Sequence, residues 1–311
     1  MYREKIPSNP TVNANSDAWL ARLGELGLGK FQFAENAAGL SKDYSYPIYP
    51  MSALVPGAVP VKIHCTETWG TCKLEGKTVY LAPSELPEDS GAPGDGHMTF
   101  IDSSAGKEDD LFVTHLPAKD GVLTIDWGGT CNLDGSGADN GGCSATAAST
   151  PLSLGIIRAN DLLLAIKSPV GSLPYALQVG TKCSNGVVPP AINGDGHTPG
   201  CAPQGSRVYL AMHDTEVDAT TLTPIAKAIL RTIDEDHYGM ILTDTNGGED
   251  GFSLQCESGL TYTAFGKPDP WTTLFVPEAK NEGLNTKPYK DEYYIPLPLS
   301  GVDLAGKLKF L

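Results

Sequence analysis

Residues 95–127 read DGHMTFIDSSAGKEDDLFVTHLPAKDGVLTIDW. HMTFID, DLFVTH and VLTIDW are short runs rich in β-branched and aromatic residues. The turn clusters SSAGKEDD and PAKDG separate them. The connection after Asp102 is hairpin-like, so the first two runs pair antiparallel. That pairing sets His97 toward His115 and Asp102 toward Glu108. VKIHC and KTVYLA precede this block, with EDSGAPGDG between. PYALQVG, SRVYLAM, YGMILT, FSLQC and TTLFV follow it. Strands at this spacing with Gly/Pro punctuation predict a mainly β fold, a β-sandwich or jelly-roll-like single domain with a few helices.

Three helices interrupt the strand pattern. Ser16-Asp17 precedes Trp19, Leu20, Leu23 and Leu26 at helical spacing. The stretch PLSLGIIRANDLLLAIKS predicts a second helix, with Asn160 or Asp161 as its cap. The third starts at Thr221 and carries Leu222, Ile225, Ala226, Ile229, Leu230 and Ile233 on one face, ending at Asp234-Glu-Asp-His237. The Tyr44–Pro50 segment, alternating Tyr and Pro, reads as extended. The expected organisation is an N-terminal helix and extended segment (1–59) packing on the core, a β-rich core (60–280) and a wrapping tail (281–311).

Six of the seven cysteines form consecutive close pairs, Cys65/Cys72, Cys131/Cys143 and Cys183/Cys201, spaced C-x6-C, C-x11-C and C-x17-C. Read as disulfides, each closes a Gly/Asn/Thr-rich local loop, worth about 2.5–3 kcal/mol from loop-closure entropy. None has the C-x2-4-C spacing typical of zinc; reduced thiols are the other alternative. Cys256, in FSLQC, is expected as a buried thiol. Disulfides imply an oxidising compartment, hence secretion. No hydrophobic leader follows Met1, so export would require a leader absent from this numbering or a non-standard route. No apolar run approaches a membrane span.

With 22 Lys+Arg against 37 Asp+Glu, the net charge is −15. That disfavours nucleic acid, anionic membranes and polyanionic glycans. It suits a neutral polymer, a cationic partner or calcium, or serves solubility alone. Asp134 and Asp139 in the second cysteine loop, and Asp244 in DTNGGED, offer oxygen ligands for calcium. Asp and Asn beside Gly are also ordinary turn residues.

For chemistry, Asp95 and Asp110 are the acid/base candidates of a paired-carboxylate glycosidase, with His97 as orienter. Asp102, Glu108 and Asp110 would cluster at one hairpin end, or form a solvated acidic turn. Tyr44, Tyr46, Tyr49, Trp69, Trp127 and Trp271 lie in or beside loops, where they either stack on sugars or lock the loops. Tyr175, Trp127 and Arg158 are the substrate-contact candidates. Arg158 and Arg207 alternatively need buried ion-pair partners, for which Asp161 and Asp244 are candidates.

The ordered blocks DGHMTFID, LGIIRANDLL, PYALQVG, SRVYLAM and AILRTIDEDHYGMILTDTNG resemble a family of secreted bacterial proteins whose activity is not settled. The likeness covers most of residues 60–250. It implies compartment and class rather than a reaction. Tyr175 stands where the family pattern has His, and Asp161 where it has Glu. The combined expectation is a secreted glycoside hydrolase acting on a neutral polysaccharide. The alternative is a non-catalytic surface, matrix or fibre-forming protein that binds glycan or calcium.

Overall fold

The alternating runs of residues 95–127 build the centre of a six-stranded sheet. The computed structural model describes the chain apart from residues 27–30, 36–44, 89–94, 135–142, 144, 169–170, 246–250 and 287–292, with backbone alone at 31–35 and 293–294. Its strands are β1 (Phe31–Glu35), β2 (Ile48–Pro50), β3 (Val59–Cys65), β4 (Thr78–Leu81), β5 (Met98–Asp102), β6 (Lys107–Lys119), β7 (Val122–Asn132), β8 (Leu177–Thr181), β9 (Arg207–Leu210), β10 (Met240–Thr245), β11 (Phe252–Leu254), β12 (Tyr293–Leu297) and β13 (Leu308–Phe310). One sheet runs β2-β5-β6-β7-β3-β4; the other runs β12-β1-β11-β8-β10-β9-β13. Both mix parallel and antiparallel pairs.

Each sheet has its own apolar cluster. In the six-stranded sheet Val61, Ile63, Phe100, Leu111, Leu123 and Ile125 pack with Tyr49 and Leu74. The seven-stranded sheet is covered by helices α1 (Ser16–Glu25), α2 (Ala159–Lys167), α3 (Asp214–Asp218) and α4 (Pro224–Ile233). Thr223 caps α4 by accepting the Ala226 N–H, and Pro224 sits in its first turn, where a missing N–H costs nothing. Its Ile225, Ile229 and Ile233 are fully buried. The predicted helices are therefore present, although α2 is capped at Arg158 rather than Asn160 or Asp161.

TTLFV is helical rather than a strand. It lies in a wide helical segment, Trp271–Phe275, that continues into Val276–Asn281. Asp269 accepts from Trp271 N–H (2.9 Å) and the Thr272 hydroxyl (2.9 Å), and Pro270 follows it. This start signal outweighed the local β-branched composition. Residues 281–311, expected as a surface wrap, supply β12 and β13, the two edge strands of the seven-stranded sheet.

The sheet-rich expectation holds, and among the described residues the two sheets pack in separate apolar clusters rather than one common core. Residues 145–155 run between them and bond to both. Leu152 N–H donates to Asp110 Oδ2 (3.0 Å), and Ser153 donates to Glu108 through its N–H (3.3 Å) and its hydroxyl. On the other side, Ala148 N–H donates to the Thr243 carbonyl (3.0 Å). Gln178, fully buried on β8, donates through Nε2 to the Pro151 carbonyl (2.5 Å) and to the Leu154 carbonyl. Buried polar groups must be paired, so this layer is fixed by its hydrogen bonds rather than by apolar shape alone. Gln178→Leu strips two carbonyls and Thr243 of their partner. It is expected to lower the unfolding free energy by about 2–4 kcal/mol, read from urea denaturation at constant m-value.

Candidate active site

Register explains which carboxylates can reach one another. Met98 pairs with Leu111, Thr99 with Asp110, Ile101 with Glu108 and Asp102 with Lys107. Cross-strand partners share a face, so Glu108 and Asp110 lie on one face and Asp102 on the other. The expected three-carboxylate cluster is thereby split. Asp102 is used in its own turn, accepting from Ser104 N–H (3.0 Å) and Ala105 N–H (3.0 Å). Asp110 is fully buried: it accepts from the Thr99 hydroxyl (2.8 Å) and from Leu152. Burial first, and then the Glu108 charge, hold its pKa well above the usual carboxylate range. Residues 145–153 cover this face, so Asp110 does not line any open cleft; it is a structural acid.

The cleft lies farther along the same strand. It has a volume of about 420 Å³, and its lining includes Trp69, Trp127, Asp95, His97, Asp195 and Asp244. Val113 on β6 has φ of 51°, a left-handed conformation that is costly for a β-branched residue. There its N–H donates to the Asp95 carbonyl (2.7 Å), and Thr114 N–H donates to the Gly96 carbonyl (3.0 Å). Gly96 also has positive φ, and a Cβ there would sit 3.0 Å from Thr114 N. This kink fixes Asp95 at the cleft mouth, where it is exposed.

The three disulfides, Cys65–Cys72, Cys131–Cys143 and Cys183–Cys201, border the cleft. The first loop carries Trp69, 64% exposed, with its ring 5.9 Å from Trp127 and 6.0 Å from Phe112. Residues 145–147 of the lining follow Cys143. The third loop carries Asn193, Gly194 and Asp195. A side chain at Gly194 would collide with Gln204 Oε1. Gln204, itself fully buried, grips Asp195 twice: Asp195 N–H donates to its Oε1 (3.1 Å), and its Nε2 donates to Asp195 Oδ1 (2.7 Å). The Thr245 hydroxyl donates to the same Oδ1 (2.8 Å).

His97 is a buried cation beneath this site. Nε2–H donates to the Ala145 carbonyl (2.8 Å), and Nδ1–H donates to Glu88 Oε1 (2.6 Å). A carbonyl can only accept, so Nε2 carries a proton; Glu88, although burial pushes its own carboxyl up, lies close enough to hold a second on Nδ1. Burial opposes the charge, but Glu88 and then Asp95 outweigh it and push the imidazole up to about 9. Both His97 nitrogens are thus engaged, and neither is free to serve as a base. The ligating atoms of Glu88, Asp95 and His97 lie within 4.8 Å of one another. Because both His97 nitrogens are engaged, the trio is an ion-pair network rather than a ready metal centre. Asp244, on β10, is half-buried; burial and the nearby Asp195 charge push it up to about 6. It therefore keeps its proton to a higher pH than an ordinary aspartate does.

The other expected site residues are dispersed. Tyr175 donates to Asp161 Oδ2 (3.1 Å), and Arg158 lies 4.0 Å from Asp161 and 3.8 Å from Glu257, all outside the cleft. Arg158 thus has the ion-pair partner foreseen for it. Arg207 does not pair with Asp244: its Nε donates to the Tyr238 carbonyl (2.8 Å), and its Nη2 donates to the carbonyls of Glu4 and Tyr238. Asp134 stands on the turn after β7, outside the cleft lining, and Asp139 lies outside the described residues. Of the loop aromatics, Tyr46, Tyr49 and Trp271 are buried and lock their segments, Tyr44 lies outside the described residues, and Trp69 and Trp127 line the cleft. A second titratable group, Asp214, Asp234 and His237, closes the end of α4; His237 Nδ1 lies 2.9 Å from Asp234 Oδ1, and burial pushes Asp234 up to about 7.

Glu88 and Asp195 were not singled out by sequence reasoning. Asp195 has one signal, the phrase Asp-Gly-His at 95–97 repeated at 195–197, each within Gly-rich sequence; Glu88, in LPEDS, has none. No protein-family model matches the chain, and no curated protein or solved structure matches it either.

The His97 pair makes stability depend on pH. A histidine pKa raised on folding stabilises fully below about 6.5, and the gain is lost as pH rises through about 9, a loss of roughly 3 kcal/mol. Urea unfolding at about pH 6 and about pH 10 is expected to show that loss in the native protein. Glu88→Gln is expected to flatten the slope.

Proposed function

We propose that the protein is a secreted glycoside hydrolase acting on a polysaccharide free of acidic groups. The observation that carries this reading is the pairing, in one cleft, of an aromatic wall (Trp69, Trp127, Phe112) with the carboxylates Asp95, Asp195 and Asp244. Aromatic faces stack on sugar rings, and carboxyl groups of unequal acidity divide acid and base work. The three disulfides support an oxidising compartment, and no described helix is long and apolar enough to cross a membrane.

In this reading Asp244 is the general acid and gives its proton to the leaving glycosidic oxygen. Asp95, exposed at the cleft mouth, takes a proton from the attacking water, whose hydroxyl joins the anomeric carbon. The bond to the leaving oxygen breaks, and solvent then carries the proton from Asp95 back to Asp244. The sum is one water added across one glycosidic bond. His97 lies beside Asp95 beneath the cleft, and Trp69 and Trp127 hold the ring. Asp244 replaces Asp110 as the partner of Asp95, since Asp110 is covered.

A non-catalytic glycan-binding protein would use the same wall but would gain nothing from a raised Asp244. Two measurements separate the readings. On a panel of polysaccharides assayed for new reducing ends, Asp244→Asn is expected to lower kcat by roughly 100-fold or more. Asp110→Asn should stay within a few-fold. Equal turnover by native protein and Asp244→Asn would sink the acid assignment. The pH profile of kcat should fall as pH rises through about 6, because the working form of Asp244 is protonated.

A further inference from the structure

Asp95, Asp195 and Asp244 share one cleft, yet no Lys or Arg lines it among the described residues. None of the three forms an ion pair with a Lys or Arg among the described residues, and the one cation beneath them, His97, is already matched by Glu88. A cleft lined by one sign of charge concentrates ligands of the other sign. Asp195 adds an exposed acceptor that Gln204 and Thr245 hold in place at the rim. Trp69 and Trp127 present faces that attract ammonium groups as well as sugar rings.

We infer that the ligand of this cleft is a cationic glycan, a polymer of amino sugars with free ammonium groups, and that Asp195 is the residue that selects it. This rests on the glycosidase reading and narrows its substrate class. It keeps the exclusion of polyanions and moves the preference from uncharged sugars to positively charged ones. Asp195 acts here by positioning a charge, while Asp244 and Asp95 face the bond.

The test is calorimetric binding of a β-linked glucosamine tetramer and its fully N-acetylated counterpart, at about pH 5.5, where ammonium and exposed carboxylates are both charged. The native protein is expected to bind the glucosamine tetramer at least about tenfold more tightly, and the preference should collapse at about 0.5 M salt. Asp195→Asn keeps an oxygen for Gln204 and Thr245 and is expected to lose the preference with an unchanged melting temperature. Should that variant unfold, the salt dependence of the native protein decides the matter. Equal or tighter binding of the acetylated tetramer overturns the inference. So does calcium binding that Asp195→Asn abolishes without any tetramer preference, since a metal would then be the counter-charge. Turnover is measured on the same two tetramers. Preference without cleavage overturns the glycosidase reading and leaves this one standing; cleavage without preference does the reverse.

Discussion

The structure depends on burying carboxyl groups inside a sheet. Glu108, Asp109 and Asp110 are consecutive residues of β6 and all are fully buried. Alternation sends Asp109 to one face, where Lys77 Nζ (2.5 Å) and the Thr130 hydroxyl (2.7 Å) meet it. Glu108 and Asp110 go to the other face, where residues 145–153 must cover them. The same segment donates from Ser153 and Leu152, accepts from Gln178 and His97, and thereby joins one sheet to the other. An apolar interface would tolerate sliding. This one specifies a register, because displacing it leaves several buried polar groups unpaired.

The cleft is what that layer leaves uncovered. Where residues 145–147 end their path over β6, Phe112 and Trp127 are open on the cleft side and Asp95 is held by the Val113 kink. The disulfide loops then supply the remaining walls. Trp69 sits inside the Cys65–Cys72 loop and packs near Trp127 and Phe112, while Asp195, inside the Cys183–Cys201 loop, is held by Gln204 and Thr245. A wall built this way needs few apolar contacts, which suits a site that must stay wet and charged.

Much of the fold was legible in the sequence. Strand alternation located β3 to β7 and cysteine spacing gave all three pairs. Asp95 and His97 were named for catalysis, Trp127 for sugar contact and Asp244 for calcium, and all four line the cleft. What the sequence could not convey was which carboxylates a distant segment would cover. Asp110 and Asp95 look equivalent in the chain; the bonds from Leu152 and Thr99 bury one, and the left-handed Val113, bonded to the Asp95 carbonyl, holds the other at the cleft. The grouping of Asp244 with Asp95 is a contact between two sheets, and nothing local encodes it. Likewise Arg207 took backbone carbonyls rather than a carboxylate, a choice that local sequence does not signal.

Both outer strands of the seven-stranded sheet come from residues after 292: β12 flanks β1, and β13 flanks β9. The inner strands are synthesised well before either. While residues 293–310 are still in the ribosomal tunnel, that sheet has two bare rims able to pair with neighbouring chains. Until β12 and β13 emerge, self-closure of that sheet therefore competes with association between polypeptides.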